Sequence, residues 1–479
     1  MTRRTARGPA RLLIHALGLL GSAARAEEVP DGFHASPSLF WKSGDHRVDL
    51  GAALRLRTEL WDAFADDVEA YTGLRTRVRA QYGWRERLLA VVELQDVRLY
   101  GMDPDGSGAL ASYRNANDGR RSASGTDLRL LYVEARPTPR SYLRVGRQEV
   151  KLGPEVVYPE PDWRYLKTAR VGERLLGSVG WSHVERAGDG VSAGWDLGGH
   201  QLFGFAARPT TGVFAVESAY RPLRDVRYAG GSWTVKRETW LPGTELGVFG
   251  LAYEDEREPD EGGLAQGAEV YTIGGYGLGV YALGPGKLDA LLWGAGQFGD
   301  YDDLDHRAGA VVAELGYQLP ELPAKPWLRA GVNWASGDGD PADGDHHTFF
   351  NLLPTNHLYY GFADQLAFQN LVDVFLQLKL APHPRLALNF FVHWLWLADD
   401  ADARYAGTGA FDRKVFGFPA QPSRGYGRVG TEYDLVATVQ LHRAVTLELG
   451  TSWLDGSALF GRSESRNVLF GYASLELRY

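Results

Sequence analysis

The sequence predicts an all-β protein, a single antiparallel β-barrel with an even number of strands, about 18. Three observations support this prediction. Apolar and polar residues alternate in one segment after another, short connections alternate with long ones, and the last alternating segment ends in Tyr479. A period of two places successive side chains on opposite faces of a β-strand. The chain has 479 residues, 59 glycines and no cysteine, which suits one large barrel with tight turns and excludes disulfides and thiolate metal sites.

The first 26 residues have the pattern of a secretory signal peptide. Arginines occupy positions 3, 4, 7 and 11, a short apolar run covers residues 12–20, and Ala24-Arg25-Ala26 forms a small-residue cleavage site. The apolar run is too short for a membrane-spanning helix. Cleavage would leave residues 27–479 and remove five arginines and no acidic residue, so the formal net charge would change from −9 to −14. An acidic mature chain argues against nucleic acid as a partner.

The segment 73–82 shows what the two faces of the barrel wall would carry. Arg75, Arg77 and Arg79 alternate with uncharged residues, so three guanidinium groups lie on one face of the strand. A membrane barrel with a polar lumen has this pattern, because the other face of each strand meets lipid. A half-exposed strand of a soluble β-protein has it as well. The rest of the chain has to separate these two interpretations.

The lengths of the connections favour the membrane barrel. Short links at residues 84–87, 137–140, 197–200, 241–243, 284–286, 381–384 and 442–443 alternate with long ones at 99–125, 152–188, 209–225, 255–267, 337–367, 399–430 and 455–466. Bacterial outer-membrane barrels have short periplasmic turns and long extracellular loops. Aromatic residues near the predicted strand ends suit interfacial girdles: Tyr82, Trp84, Trp293, Phe298, Trp327, Trp334, Trp394 and Trp396. We therefore predict a transmembrane outer-membrane β-barrel over residues 27–479.

Several segments of the chain resemble the alginate export family of outer-membrane porins. They are residues 93–98 (ELQDVR), 127–135 (DLRLLYVEA), 143–153 (LRVGRQEVKLG), 336–345 (SGDGDPADGD) and 348–364 (TFFNLLPTNHLYYGFAD), together with the C-terminal strand. The resemblance implies a barrel with an arginine-lined, electropositive pore that passes an anionic uronate polysaccharide such as alginate. It also implies periplasmic scaffold and export proteins as partners.

Arginines on the predicted lumen faces form the candidate pore-lining, substrate-binding site. They are Arg55, Arg57, Arg75, Arg77, Arg79, Arg129 and Arg144. A guanidinium group binds a carboxylate through two parallel hydrogen bonds and keeps its charge, and a series of modest sites lets a polyanion move along the pore. The structural alternative is that these arginines pair with Glu59, Glu93 and Asp127 and fill the lumen. Arg147 has the opposite parity, which a bulge or a strand end would explain.

Other polar clusters and the long loops leave alternatives open. Asp338, Asp340, Asp343 and Asp345 are candidate Ca²⁺ ligands, although their spacing differs from the EF-hand loop and a solvated acidic loop also explains them. We expect no other cofactor. The adjacent residues 346 and 347 are both histidines, but neighbours on an extended chain point in opposite directions. Residues 152–188 and 348–364 are long enough to fold inward and constrict the pore, or to cover it as a surface lid.

These patterns predict an anion-selective outer-membrane porin for an acidic polysaccharide, surrounded by outer-membrane lipid. The alternative is a general porin for the uptake of small carboxylates or other anions. A barrel enzyme would require a nucleophile beside a histidine base. His393 and His442 face the lumen by parity, but the sequence indicates no partner for either residue. We therefore predict that the chain is not an enzyme.

Overall fold

The computed structural model describes residues 39–63, 68–102, 108–258, 264–407, 420–460 and 467–479, and the predicted signal peptide lies outside them. Within these residues the chain forms 22 strands, numbered in chain order. Their bounds are β1 Leu39–Ser43, β2 His46–Ala63, β3 Glu69–Trp84, β4 Leu88–Tyr100, β5 Ser122–Thr138, β6 Ser141–Gln148, β7 Gly188–Asp196, β8 His200–Pro209, β9 Val226–Val235, β10 Thr244–Asp255, β11 Ala268–Leu283, β12 Gly286–Tyr301, β13 Leu304–Gln318, β14 Trp327–Ala335, β15 Asp345–His346, β16 Leu371–His383, β17 Leu386–Trp396, β18 Arg404–Tyr405, β19 Ala420–Gln421, β20 Arg428–His442, β21 Val445–Gly456 and β22 Val468–Arg478.

The helical segments are short and lie between strands. They are Gly108–Ala116, Pro161–Tyr165, the π-helix Leu166–Val171 that continues it, and the 3-10 segments Asn356–Leu358 and Ala458–Phe460. Among the described residues, no helix combines the length and the apolar character needed to cross a membrane.

Eighteen of the described strands close into one antiparallel barrel. Each barrel strand pairs with the next along the chain, and β2 pairs with β22 to complete the ring. The short strands β1, β15, β18 and β19 lie outside this ring. The prediction of a closed barrel of about 18 strands is confirmed, and each alternating segment corresponds to one barrel strand. Closure is necessary in lipid because every backbone N–H and C=O group must find a partner within the protein.

The outer face of the barrel is an apolar band with aromatic girdles. Leu56, Val78, Ile273 and Leu292 on four different strands are 42%, 54%, 64% and 62% exposed. Exposed aromatic side chains flank this band, with Tyr82, Trp84, Trp195 and Trp233 toward the short turns and Phe298, Trp334, Trp394 and Trp453 toward the long loops. A bilayer requires this arrangement of an apolar band between two interfacial rings.

Three details of the barrel differ from the sequence prediction. Trp293 and Trp327 were expected in the girdles but are only 3% and 5% exposed, because their parity places them on the lumen face. The connection between β12 and β13 lies at the long-loop end yet consists of only Asp302 and Asp303, both with positive φ. Strand β6 ends at Gln148, whereas the apolar–polar alternation that begins at residue 141 predicts a strand as far as residue 151.

The C-terminal residue takes part in closing the barrel. The Tyr479 N–H donates to the Ala52 carbonyl at 2.8 Å, and the Tyr479 carbonyl accepts from the Ala52 N–H at 2.9 Å. Strand β1 then forms a hairpin with the first part of β2, along the edge that β22 does not reach. Both ends of the described chain therefore contribute to the same seam.

Two loop segments fold into the barrel. The first inward segment, residues 149–187, follows β6, and the second inward segment, residues 347–370, follows β15. The first segment contacts lumen-facing side chains on widely separated strands, from Arg55 on β2 to Glu314 on β13 and Gln377 on β16. Such contacts are possible only from inside the barrel, so this segment folds inward rather than forming a surface lid.

The two inward segments pack against each other and form the apolar core of the lumen. Leu176 and Leu353 form a β-bridge, and the Gly177 N–H donates to the Leu353 carbonyl at 2.8 Å. The most deeply buried apolar side chains of the two segments include Trp163, Leu166, Leu176, Phe349, Phe350 and Leu353. The described part of the lumen is therefore packed like a protein interior.

The orientation of the barrel can be tested with single cysteines, because the chain has none of its own. We expect Ala342→Cys, at an exposed position among the long loops, to react in intact cells with a membrane-impermeant maleimide. We expect Glu321→Cys, in an exposed short turn, to react only after the outer membrane is permeabilised. The opposite labelling pattern would contradict the assignment of the long loops to the cell exterior.

Candidate functional site

Five of the seven predicted site arginines are buried on neighbouring strands of the lumen wall. Arg55, Arg57, Arg75, Arg77 and Arg129 are 7%, 1%, 6%, 2% and 1% exposed. They lie on β2, β3 and β5, and their side chains point into the lumen. We refer to these five residues as the arginine wall. The first inward segment covers the wall and separates it from solvent.

Glu185 of the first inward segment binds three members of the arginine wall. Its Oε1 atom is 2.7 Å from both Arg75 Nη1 and Arg77 Nη2, and its Oε2 atom is 2.5 Å from Arg129 Nη2. Burial alone would raise the pKa of Glu185, but Arg129, Arg77 and Arg75 lower it to about 2. The carboxylate is therefore ionised at neutral pH and occupies the position that an anionic ligand of these arginines would take.

The other two members of the wall hold the backbone of the same segment. Arg55 donates to the carbonyls of residues 180, 181 and 182, and Arg57 donates to the Trp181 carbonyl at 2.7 Å. The Arg57 guanidinium also lies 3.7 Å from the centre of the Trp181 ring and 2.7 Å from Glu59. These contacts fix the segment directly over the wall.

A β-bulge turns Arg129 into the lumen. In the ladder between β4 and β5 the register shifts next to Glu93, and Arg129 is the extra residue on β5. Without the bulge, strict alternation would place Arg129 on the same face as Leu131, which is 52% exposed toward lipid. The bulge instead brings Arg129 Nη1 to 2.6 Å from Glu93 and within reach of Glu185.

The remaining two predicted site residues, Arg79 and Arg144, are half-buried near the short-turn end of the lumen. Arg144 Nη2 is 2.7 Å from Glu134, and its guanidinium lies 4.5 Å from the centre of the Tyr132 ring. Arg79 donates to the Tyr132 hydroxyl at 3.4 Å. Both arginines keep part of their surface exposed, in contrast to the arginine wall.

The sequence left open that the arginines pair with acidic side chains and fill the lumen, and the structure contains such pairs. Glu59 and Glu93 pair with members of the arginine wall, whereas Asp127 accepts a backbone hydrogen bond from Ala219. The additional partner Glu185 lies 110 residues from Arg75 in the chain, and alternation gives no signal for such a contact. Arg147, the residue of opposite parity, lies at the end of β6, where it binds Asp189 on β7 at 2.6 Å and its guanidinium is 5.9 Å from the centre of the Tyr220 ring.

A second buried ion cluster lies across the lumen and was missed in the sequence. Glu314 on β13 binds Arg170 and Arg174 of the first inward segment at 2.6 and 2.9 Å, and Arg329 on β14 at 2.9 Å. Lys167 of the same segment binds Glu245 on β10 at 2.5 Å. The alternation of β10, β13 and β14 would have placed Glu245, Glu314 and Arg329 on the lumen face. Their partners Arg170, Arg174 and Lys167, however, lie in a segment without regular alternation.

The acidic loop at residues 338–345 is divided between two roles. Asp338 is 3% exposed and accepts backbone N–H groups from Asp340 and His347. Asp343 and Asp345 instead lie together with His347. The four predicted Ca²⁺ ligands therefore do not converge on one point, and Ca²⁺ binding in this loop stays a prediction.

The two lumen histidines from the sequence analysis have different positions. His393 is buried between Asp373, at 3.0 Å, and Asp434, at 3.7 Å. Glu432, which lies opposite His393 in the ladder between β17 and β20, accepts a hydrogen bond from the Ser452 hydroxyl at 2.8 Å. His442 lies exposed at a short turn, as the last residue of β20, where the register shifts.

Removal of the charge on Glu185 should release the first inward segment from the arginine wall. A buried ion pair that loses one partner is destabilised by about 3–5 kcal/mol. We therefore expect Glu185→Gln to increase hydrogen exchange at the amides of residues 176–187 while the barrel strands stay protected. Glu217→Gln is the matched control, because Glu217 and its partner Arg120 are 49% and 52% exposed and such pairs contribute about 0–1 kcal/mol. Equal exchange in both variants would contradict the role of Glu185.

The low pKa of Glu185 also predicts the pH at which the segment is released. A depressed pKa contributes stability above the unfolded carboxyl value of about 4.3, and this stability is lost as the pH falls toward about 2. We expect single-channel conductance to stay constant from about pH 7 to pH 4.3 and to rise below that range. The Glu185→Gln variant should lack this acid-dependent step. A rise that begins near neutral pH would show that another group controls the segment.

Comparisons with known proteins agree with this architecture. The family model for alginate export matches residues 46–468. No curated protein matches the chain. Among solved structures, OpdK of Pseudomonas aeruginosa with vanillate has a TM-score of 0.55 at 11% identity, covering 90% of this chain and 98% of that chain. OccK2 (OpdF) of the same organism in complex with glucuronate has a TM-score of 0.54 at 10% identity and coverages of 90% and 96%. OccAB1 of Acinetobacter baumannii has a TM-score of 0.58 at 10% identity and coverages of 95% and 99%.

Identities this low show a shared fold, whereas the family match covers almost every barrel strand. The chain belongs to the alginate export family, and it is a β-barrel of the bacterial outer membrane with the architecture of a porin.

Proposed function

We propose that this barrel is an anion-selective channel through which a uronate polysaccharide such as alginate crosses the outer membrane. The observation that carries the proposal is the binding of Glu185 by Arg75, Arg77 and Arg129. A carboxylate already fits among these guanidiniums, and the carboxylate of a uronate residue has the same planar geometry and charge. The arginine wall would therefore be the substrate-binding surface of the pore.

The half-buried arginines would receive the polymer before it reaches the arginine wall. Arg79 and Arg144 lie near the short-turn end of the lumen and keep part of their surface exposed. The mature chain would be acidic overall, but charges farther away than the Debye length of about 8–10 Å are largely screened at physiological salt. The local arginines would then determine selectivity, and an anion would be preferred despite the net charge.

Conduction would require the first inward segment to leave the arginine wall. If the segment moved away alone, it would expose five buried guanidiniums and the buried Glu185 carboxylate. A polymer carboxylate that replaces Glu185 keeps the guanidiniums paired during the exchange. The free energy of displacement would then be far smaller than the loss of the buried pairs, about 3–5 kcal/mol for each partner removed. The substrate itself would thus favour the open state.

The alternative function is the uptake of small carboxylates. Two similar barrels were solved with vanillate and with glucuronate, and both molecules carry a single carboxylate. The same arginines would serve such solutes, which need less displacement of the inward segments than a polymer does. Outer-membrane lipid surrounds the channel under either proposal, and periplasmic export proteins are implied as partners only for a polymer delivered from the cell.

Selectivity can be tested without disturbing Glu185 by the double variant Arg79→Gln/Arg144→Gln. We expect the wild-type pore to prefer Cl⁻ in reversal potentials across a KCl gradient. We expect the double variant to lose much of this preference and to bind uronate oligomers roughly tenfold more weakly, which corresponds to about 1.4 kcal/mol. Arg85→Gln/Arg140→Gln, which removes two exposed charges from short turns, is the control and should behave like wild type. A wild-type preference for K⁺ would contradict the proposal.

Block of the current by ligands of different length separates the two candidate functions. A polymer channel should be blocked for longer times as uronate oligomers lengthen, and neutral oligosaccharides of equal length should have little effect. A channel for small carboxylates should respond to glucuronate or vanillate and exclude the oligomers. The second result would favour uptake over polysaccharide passage.

A further inference from the structure

Three potential metal-binding side chains lie close to one another in the connection between β14 and β16. The ligand atoms of Asp343, Asp345 and His347 all lie within 4.8 Å of one another. This set differs from the four aspartates that the sequence suggested: it contains His347 and omits Asp338 and Asp340, and Asp343 also accepts the Asp345 N–H at 2.9 Å. The observation is independent of the arginine wall and of the proposed transport function.

The orientation of the His347 ring leaves one of its nitrogens available on the side of Asp345. Its Nδ1–H donates to the Arg307 carbonyl at 2.9 Å, since a carbonyl oxygen can only accept. The neutral ring then has its lone pair on Nε2, which lies 3.9 Å from an Asp345 carboxylate oxygen. Nε2 is therefore the ring nitrogen that could bind a metal ion together with the neighbouring carboxylates. Histidines that bind metals commonly donate their other N–H to a backbone carbonyl in this way.

The backbone around the three ligands is held in place by groups outside the cluster. Strand β15 pairs in parallel with the start of β13, with Asp345 opposite Asp305 and His346 opposite His306. His346 points away from His347 and contacts His306 at 2.8 Å. The ligands are therefore positioned by the barrel wall before any ion binds.

We propose that Asp343, Asp345 and His347 form a binding site for a Zn²⁺-type divalent ion. A mixed set of one imidazole and two carboxylates suits Zn²⁺, which binds nitrogen and oxygen ligands in four-coordinate sites. Ca²⁺ instead requires six to eight oxygen ligands. Asp345 and His347 are 42% and 39% exposed, which leaves room for water as the remaining ligand.

The site lies where the second inward segment enters the lumen. Thr348, the next residue after His347, is 1% exposed, and its hydroxyl donates to Asp402 at 2.6 Å. A bound ion would therefore fix the first residue of this segment to the rim formed by β13 and β15. The bound ion would thus anchor a segment that fills the lumen of the barrel.

The test is calorimetric titration of the folded full chain in detergent with ZnCl₂, CaCl₂ and MgCl₂ in turn. We expect a Zn²⁺ site in the wild type that is at least tenfold weaker in His347→Gln and in Asp345→Asn. Asp340→Asn, in the same loop but outside the ligand set, is the control and should bind Zn²⁺ like wild type.

Three results would overturn the proposal. The first is Zn²⁺ binding that is unchanged by His347→Gln, because the ion would then bind elsewhere. The second is Ca²⁺ binding that survives His347→Gln and is lost in Asp340→Asn, which would indicate an acidic Ca²⁺ loop. The third is the absence of Zn²⁺ binding to the wild type.

Discussion

The structure depends on the pairing of charges that the barrel buries in its lumen. Transfer of an unpaired ion into a protein interior is too costly to tolerate, so each buried guanidinium and carboxylate needs a partner. The arginine wall lies on β2, β3 and β5, and the carboxylates Glu245 and Glu314 lie across the lumen on β10 and β13. The lumen is therefore divided into a basic side and an acidic side.

The first inward segment matches both sides of the lumen at once. It presents Glu185 to the arginine wall and presents Lys167, Arg170 and Arg174 to the carboxylates opposite. Because the two sets of pairs lie on different strands, the segment connects distant parts of the barrel. An anion that competes with the segment would have to replace the Glu185 carboxylate at Arg75, Arg77 and Arg129, and also the Glu149 carboxylate of the same segment, which contacts Arg129.

The outer surface follows a simpler rule than the lumen. Each strand has to present apolar side chains to lipid, so parity decides which residues face outward, and aromatic residues collect at both rims. At Arg129 the bulge in β5 reverses the parity, so this charged side chain lies in the lumen and not against lipid. Arg147 lies at the end of β6, where Asp189 neutralises it.

The sequence by itself determined the barrel, the number of its strands and the inward direction of Arg55, Arg57, Arg75 and Arg77. The alternation of apolar and polar residues is a local property of each strand, and short and long connections alternate between successive strands. Neither pattern needs long-range information. The family resemblance pointed to the same barrel, and the family match confirms it.

Only the tertiary structure decided what the arginines contact. Arg75 and Glu185 are 110 residues apart, and Glu314 and Arg170 are 144 residues apart. Such pairs form because two inward segments without periodicity fold into the lumen, and no local pattern encodes which strand they reach. The bulge at Arg129 and the convergence of His347 with two aspartates likewise depend on neighbouring strands. The physical reason is that burial demands a partner for every charge, while the identity of the partner follows from the packing of the whole chain.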